Sequence, residues 1–285
     1  MSSPETTPPG PDAAPVHPRL HLGTSSFSHP SWVGPFYAPG TKPGDFLAHY
    51  GRRYDTVEID ATFYRIPSAA QVRSWASKVP EGFRIAAKVP QVITHEKLLA
   101  GVEDDLSAFL GAMEEAGDRL GPMLFQFPYF RRDAFASAAP FLARLGPVLA
   151  SLPRDRRFAV EVRNKTWVAE PLLSLLRAHG VAYAMIDHPW MPPVEKLLEG
   201  PDPITADFAY VRWLGDRHAI EARTESWDQL ILDRAGEMER WVTALAAILE
   251  RNIEVFGYFN NHYAGHAPGS IALLREVWRR RFGGA

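Results

Sequence analysis

Cysteine is absent from all 285 residues. That one absence removes disulfides, thiolate nucleophiles, iron–sulfur clusters and cysteine zinc sites together. Charge of one dominant sign is missing too. With 31 Lys and Arg against 33 Asp and Glu, the formal net charge is −2, so no global field draws the chain to nucleic acid or to an anionic membrane. A local basic patch remains compatible with that balance. No run approaches the roughly 18 uninterrupted apolar residues of a membrane span, and no membrane partner is expected. Residues 1–18, rich in Pro, Ser, Thr and Ala, hold no apolar stretch resembling a signal peptide. They read as a disordered tail, removal of residues 1–17 is expected to leave folding intact, and the protein reads as cytoplasmic.

What is present is a recurring strand signal. Short β-rich runs lie at Leu20–Ser25, Thr56–Phe63, Phe83–Val89, Met123–Phe127, Phe158–Arg163, Ala182–Asp187, Phe208–Leu214 and Glu254–Phe259. Most are dominated by Val, Ile, Phe, Tyr, Ala and Met, as strands buried on both faces should be. Between them run helical stripes such as Val72, Trp75, Ala76 and Val79, or Trp241, Leu245, Ile248 and Leu249. Alternating strands and helices imply parallel pairing through right-handed crossovers. Eight such units predict a (β/α)8 TIM-type barrel over residues 19–285 as one domain, with a doubly wound open sheet as the alternative. The sixth crossover, Pro189-Trp190-Met191-Pro192-Pro193, is hostile to helix and predicts an irregular loop, with room for a short helix at Val194–Leu198.

Charged and polar residues break the apolar pattern late in the strands. Glu58 and Asp60 are two apart, as are Glu161 and Arg163, so each pair is expected on one strand face. Lys88, Gln126, Asp187 and Arg212 end the third, fourth, sixth and seventh strands, and Asn260-Asn261-His262 follow the eighth. An isolated buried charge costs several kcal/mol, so these groups must be paired or wet. Their shared lateness predicts a polar cup at the carboxyl ends of the strands, where barrels place their active sites. The alternative for Glu161 with Arg163 is a local ion-pair lattice bracing the mouth. His95, just after a strand, reads as an exposed loop histidine. Phe63, Tyr64, Trp167, Trp190, Trp213 and Tyr263 are expected to line the rim, where they could stack on a sugar or base or simply roof the barrel. In Gly265-His266-Ala267-Pro268-Gly269-Ser270, Ser270 is expected to cap the last helix and the helix start to favour an anion.

Several segments in order carry a family resemblance: GTSSFSHPSWVGPFYAPG, VEIDATFYRIPS, FRIAAKVP, LFQFP, EVRNKTW, YVRWLG and YFNNHYAGHAP. Together they resemble the YecE-like proteins, domain of unknown function 72, over nearly the whole globular part. The resemblance implies the barrel independently of the strand count and implies no reaction. It marks positions that include Gly23, Ser25, Trp32, Glu58, Thr62, Lys88, Gln126, Glu161, Arg163, Trp167, Arg212, Asn260 and Asn261. Trp213 departs from the family's pattern, in which His or a small polar residue more often follows the arginine.

Three functions compete. The first is an enzyme of hydrolase- or lyase-like acid/base chemistry on an anionic, phosphate- or carboxylate-bearing substrate. Glu161, Glu58, Asp60 and Lys88 are its catalytic candidates. Arg163, Arg212, Gln126, Tyr64, Trp167, Asn260, Asn261, His262 and Ser25 are its substrate-binding candidates. A conventional glycosidase fits less well, because Gln126 and Arg212 stand where strands four and seven often carry the two carboxylates. The second is a nucleic-acid binding or processing barrel related in fold to apurinic-site endonucleases, with a phosphodiester partner. The third is a non-catalytic ligand-binding barrel. No cofactor is evident, and a divalent metal has no HxH or HExxH motif to support it. Oligomeric state leaves no signal.

Overall fold

In the computed structural model, residues 15–283 are described; residues 1–14, most of the expected tail, lie outside them, as do 284 and 285. Eight strands form the sheet: β1 Leu20–Thr24, β2 Thr56–Ile59, β3 Arg84–Lys88, β4 Leu120–Gln126, β5 Phe158–Glu161, β6 Ala182–Asp187, β7 Phe208–Trp213 and β8 Glu254–Phe259. Every ladder is parallel, and the order β1-β8-β7-β6-β5-β4-β3-β2 brings the two ends of the sheet together as a nearly closed barrel. The helices between them are α1 Phe46–Tyr50, α2 Ala61–Tyr64, α3 Ala69–Ser77, α4 Glu103–Met113, α5 Ala138–Ser151, α6 Glu170–His179, α7 Val194–Glu199, α8 Arg217–Glu221, α9 Ala235–Glu250 and α10 Ala267–Phe282. The sixth crossover is irregular and carries only the short α7.

Two strands stop earlier than their sequence suggests. β2 ends at Ile59, because Thr62 Oγ1 donates both to the Ile59 carbonyl (2.9 Å) and to the Lys88 carbonyl (2.8 Å) and folds the chain into α2. β5 ends at Glu161, and Asn164 then ties the chain to the fourth loop: its amide accepts from Phe130 N and donates to Phe130 O, both at 2.9 Å. Asp60 and Arg163 therefore leave their strands just above the residues with which they were expected to share a face.

Alternation along the strands sorts residues between the barrel interior and the helical layer. Phe208, Tyr210, Phe256 and Tyr258 meet Ala86, Leu124, Ala159 and Ala184 inside the barrel, so large rings from one side fill the space left by alanines on the other. The residues between face the helices. Trp213, for example, stacks on Phe259 (4.1 Å between centroids) and lies edge-on to Trp241 of α9. It fits only because β8 has glycine beside it, where a Cβ on Gly257 would come within 2.7 Å of the indole.

Between β1 and β2 the ladder is replaced by a side chain. Gly23 lies so close to β2 that a Cβ would stand 2.2 Å from the Thr56 carbonyl. The Tyr50 hydroxyl accepts from Thr24 N at 2.8 Å and reaches Thr56 O at 3.2 Å, doing the work of a strand-to-strand bond. Below it, at the amino-terminal end, His21 bridges Asp55 (2.5 Å) and Glu254 (2.8 Å), with Arg157 also on Glu254. Burial disfavours the imidazolium, but the hydrogen bonds its two N–H groups donate to these carboxylates outweigh it and lift the His21 pKa to about 9. A raised folded-state pKa contributes stability that is complete below the unfolded value of about 6.5 and disappears as pH rises through about 9. Thermal melts between pH 6 and 10 should show that decline, and His21→Gln should flatten it. An unchanged slope in the variant would mean the bridge does not clasp the seam.

Candidate functional site at the carboxyl mouth

The top interior layer of the barrel is a chain of alternating charges. Arg212 on β7 donates from Nη2 to Glu58 Oε1 on β2 and from Nη1 to Glu161 Oε2 on β5, both at 2.7 Å. Tyr210, two residues below Arg212 on the same face, donates to Glu58 Oε2 at 2.6 Å. Arg163 donates from Nε to Glu161 Oε1 at 2.6 Å. Every oxygen of Glu58 and Glu161 thus receives a hydrogen bond, and both carboxylates are fully buried. Burial alone would raise the Glu161 pKa; the guanidinium groups of Arg163 and Arg212 reverse that and hold it at about 2.

Lys88 and Asp60 stand beside this network in a different state. Lys88 Nζ lies 3.5 Å from Asp60 Oδ1, and the two side chains keep 12% and 30% exposure. Asp60 Oδ1 receives no well-formed hydrogen bond. The Asp60 pKa is raised, first by burial and further by the nearby Glu58, with the Lys88 charge opposing both. Lys88 Nζ also sits 4.7 Å above the Phe63 ring as a cation–π contact. His95 packs edge-on against the same ring at 4.9 Å. It is half-buried in a π-helical turn, Val92–Glu96, and burial with the charges of Lys88 and Arg163 depresses its pKa to about 4, leaving it neutral. The expected exposed loop histidine is instead part of the mouth. The anchor for all of this is Thr62, whose bond to the Lys88 carbonyl sets α2 and Asp60 over the end of β3.

Other candidates fall elsewhere. Arg212 is 2% exposed with both Nη groups on carboxylates, so it frames the site and presents no free guanidinium face to a substrate. Trp167 is buried against Phe130 and Phe141, in the core under the fourth and fifth loops. Trp213 and Tyr263 are likewise interior, whereas Tyr64 (73% exposed) and Trp190 (67% exposed) do stand on the surface. Gln126, paired with Glu161 across the β4–β5 ladder, donates to the Phe127 carbonyl at 2.7 Å. Asp187 turns outward and accepts from Trp241 Nε1 at 2.6 Å. Asn260, Asn261, His262 and Ser25 gather at a separate corner of the mouth, between β1 and β8. Ser270 caps nothing: α10 begins at Ala267, the Ser270 hydroxyl bonds back to His266 O, and the Ala267 amide is already held by Asn261 Oδ1. Of the first two positions of the helix, one amide is therefore taken and the other is a proline without an N–H, which weakens this start as an anion site. Among the described residues, no three His, Asp or Glu side chains are grouped to hold a metal ion, and no helix is long and apolar enough to cross a membrane.

Tyr210 and His95 were the members that pattern alone did not single out. Tyr210 could have been found, since it precedes Arg212 by two in FAYVRW and must share its face. His95 depends on a turn that no spacing announces.

A parallel barrel with a buried charge lattice at its carboxyl mouth is the class that fold and geometry define. The family model described as "Protein of unknown function DUF72" matches residues 21–284, and the chain belongs to that family. It is 25% identical to the UPF0759 protein YunF of Bacillus subtilis over 264 residues, covering 85% of this chain and 89% of the relative. It is 29% identical to the UPF0759 protein YecE of Escherichia coli over 152 residues, a match spanning about half of each chain (53% and 51%). Among solved structures, a DUF72 protein of Thermotoga maritima superposes with a TM-score of 0.68 at 27% identity, covering 90% of this chain and 97% of the other. D-Psicose 3-epimerase, with a TM-score of 0.52 at 13% identity over 93% and 92% of the two chains, shares the fold alone.

Proposed function

We propose that the protein is an enzyme, of hydrolase or lyase type, that moves a proton on an anionic substrate at the carboxyl mouth of the barrel. The observation that carries this reading is the contrast between two sets of charges. Every carboxylate oxygen of Glu58 and Glu161 is taken by Arg212, Tyr210 or Arg163, and a carboxyl held near pKa 2 delivers no proton at neutral pH. Lys88 and Asp60 are under-bonded and partly open to solvent, and burial moves Asp60 toward the range where a general base works well. In this reading Asp60 is the base, and Lys88 faces the charge that develops on the substrate. Arg163, whose Nη groups have no partner among the described residues, holds the substrate's anionic group. Glu161, the leading acid/base candidate from sequence, becomes the positioning group for Arg163.

The test has two parts. Inorganic phosphate or sulfate should raise the melting temperature of the wild type, and Arg163→Leu should abolish that rise. In a turnover screen against phosphate- and carboxylate-bearing compounds, Asp60→Asn should lose about 10²–10⁴-fold in rate. The reading falls if no anion affects melting and no compound is turned over.

A further inference from the structure

The geometry points to a second subsite in the same mouth, between β1 and β8, that takes a neutral polyhydroxylated ring such as a monosaccharide. Its cavity measures about 350 Å³ and is lined by Ser25, Trp32, Glu221, Trp227, Asn260, Asn261 and His262 among others. That volume is near the lower end of small-molecule sites, which run to roughly 300–1,000 Å³, and suits one ring.

The polar groups on its walls are of two kinds. Trp32 Nε1 and Ser25 Oγ belong to side chains 1% and 6% exposed, and neither atom has a hydrogen-bond partner in the protein. Leaving a buried donor unsatisfied is costly, and both atoms are shut off from solvent just behind the wall, so a small shift of the wall that lets a ligand hydroxyl or water reach them is favoured. Asn260 Oδ1 accepts from His262 N, and Asn261 Oδ1 accepts from Ala267 N, so each amide keeps its NH2 as the free end. Glu221 stands against them as an acceptor, 3.0 Å from His262 Nε2. Trp227 lies edge-on to the His262 ring at 4.8 Å and adds an apolar wall.

Donors and acceptors interleaved around an indole match vicinal hydroxyls, each of which both gives and receives a hydrogen bond while the ring carbons need an apolar surface. An anion fits this corner poorly. Burial lowers the pKa of His29 and His262, and the Glu221 carboxylate faces His262 with its charge matched by Arg217 at 2.9 Å, so no unpaired cation waits here for an anion. The charged half of the mouth lies with Lys88 and Arg163, the neutral half here. Sugar binding at this corner stands without the proton-transfer reading; only the joining of both halves into one substrate, a sugar bearing an acidic group, rests on it.

Calorimetric titration of the full chain with D-glucose, D-fructose and D-ribose tests the subsite, with cyclohexanol as the ring that lacks vicinal hydroxyls. At least one sugar should bind while cyclohexanol does not. Ser25→Ala and Trp227→Ala should each weaken that binding about tenfold or more, roughly 1.4 kcal/mol. Because Ser25 Oγ bonds to nothing in the protein, Ser25→Ala should keep the wild-type melting temperature, which separates lost recognition from lost folding. Lys88→Met should leave sugar affinity unchanged, so the subsite can survive even if the acid–base reading fails. Absence of binding by all three sugars, binding insensitive to both pocket variants, or equal binding of cyclohexanol would overturn the proposal. So would phosphate affinity that falls in Ser25→Ala, which would make the corner an anion site.

Discussion

Arg212→Met is expected to destabilise the protein by about 3–5 kcal/mol, the cost of breaking a buried ion pair on one side. Arg212 satisfies one oxygen of Glu58 and one of Glu161, two carboxylates with no exposure at all. Removing it leaves both charges facing each other in a dry layer that methionine cannot solvate. At this chain length the fall in melting temperature is on the order of ten degrees. Its pH dependence is diagnostic. In the wild type the Glu161 pKa is depressed to about 2, so its contribution is present above the ordinary carboxylate range and lost as pH falls through 2. In the variant Glu161 keeps Arg163 and Glu58 keeps only the Tyr210 hydroxyl, so two buried carboxylates face each other without the cation between them, and acid relieves the repulsion by neutralising charge. The gap between the two proteins should therefore narrow from pH 7 to pH 4, as read by denaturant titration. A triple replacement, Arg212→Met with Glu58→Leu and Glu161→Leu, should recover much of the loss, because a packed apolar layer often equals a buried ionic one. A small effect of Arg212→Met at neutral pH would show that the lattice is wetter than its burial implies.

Lys88→Met is expected to do the reverse: abolish turnover and hardly touch stability. Its partner Asp60 lies at 3.5 Å and is partly exposed, and a partly solvated pair contributes no more than about 1 kcal/mol. A group that stabilises developing charge in proton transfer contributes far more to rate, about 10²–10⁴-fold. The pH profile distinguishes chemistry from support. Of the charges acting on Asp60, Lys88 lowers its pKa most, while burial and Glu58 raise it. Whatever rate survives in Lys88→Met should thus show its acidic limb, where the base Asp60 loses its proton, displaced to higher pH. Wild-type rates and an unmoved limb would remove the pair from the chemistry, whereas a collapsed melting temperature would place Lys88 in the frame with Arg212.

Much of this arrangement was legible in the chain, and the reasons are specific. Glu58, Lys88, Glu161 and Arg212 each end an otherwise apolar run, and two-residue alternation lets a buried strand present them on the same inward face as Thr56, Ala86, Ala159 and Tyr210. Trp167 was misplaced because an aromatic side chain near a strand end carries no mark telling whether it points at the mouth or at Phe130 and Phe141. Asp187 failed for a similar reason. It closes β6 as Arg212 nearly closes β7, yet its side chain faces out to Trp241, one residue out of phase.

By itself the sequence determined the strand and helix alternation, the family, the polar layer at the carboxyl ends, and the exclusion of all cysteine chemistry. Those are local properties, set by period, composition and the cost of burying charge. Only the tertiary structure decided which charges cancel and which stay available. Whether a carboxylate is silent or reactive depends on the donors that bond its oxygens, and those donors arrive from distant strands: Tyr210 and Arg212 reach Glu58 across more than 150 positions of chain. Closing the barrel sets those pairings. It leaves Glu161 locked between two arginines, Asp60 under-bonded beside Lys88, and Ser25 and Trp32 with polar atoms unpartnered at a pocket wall.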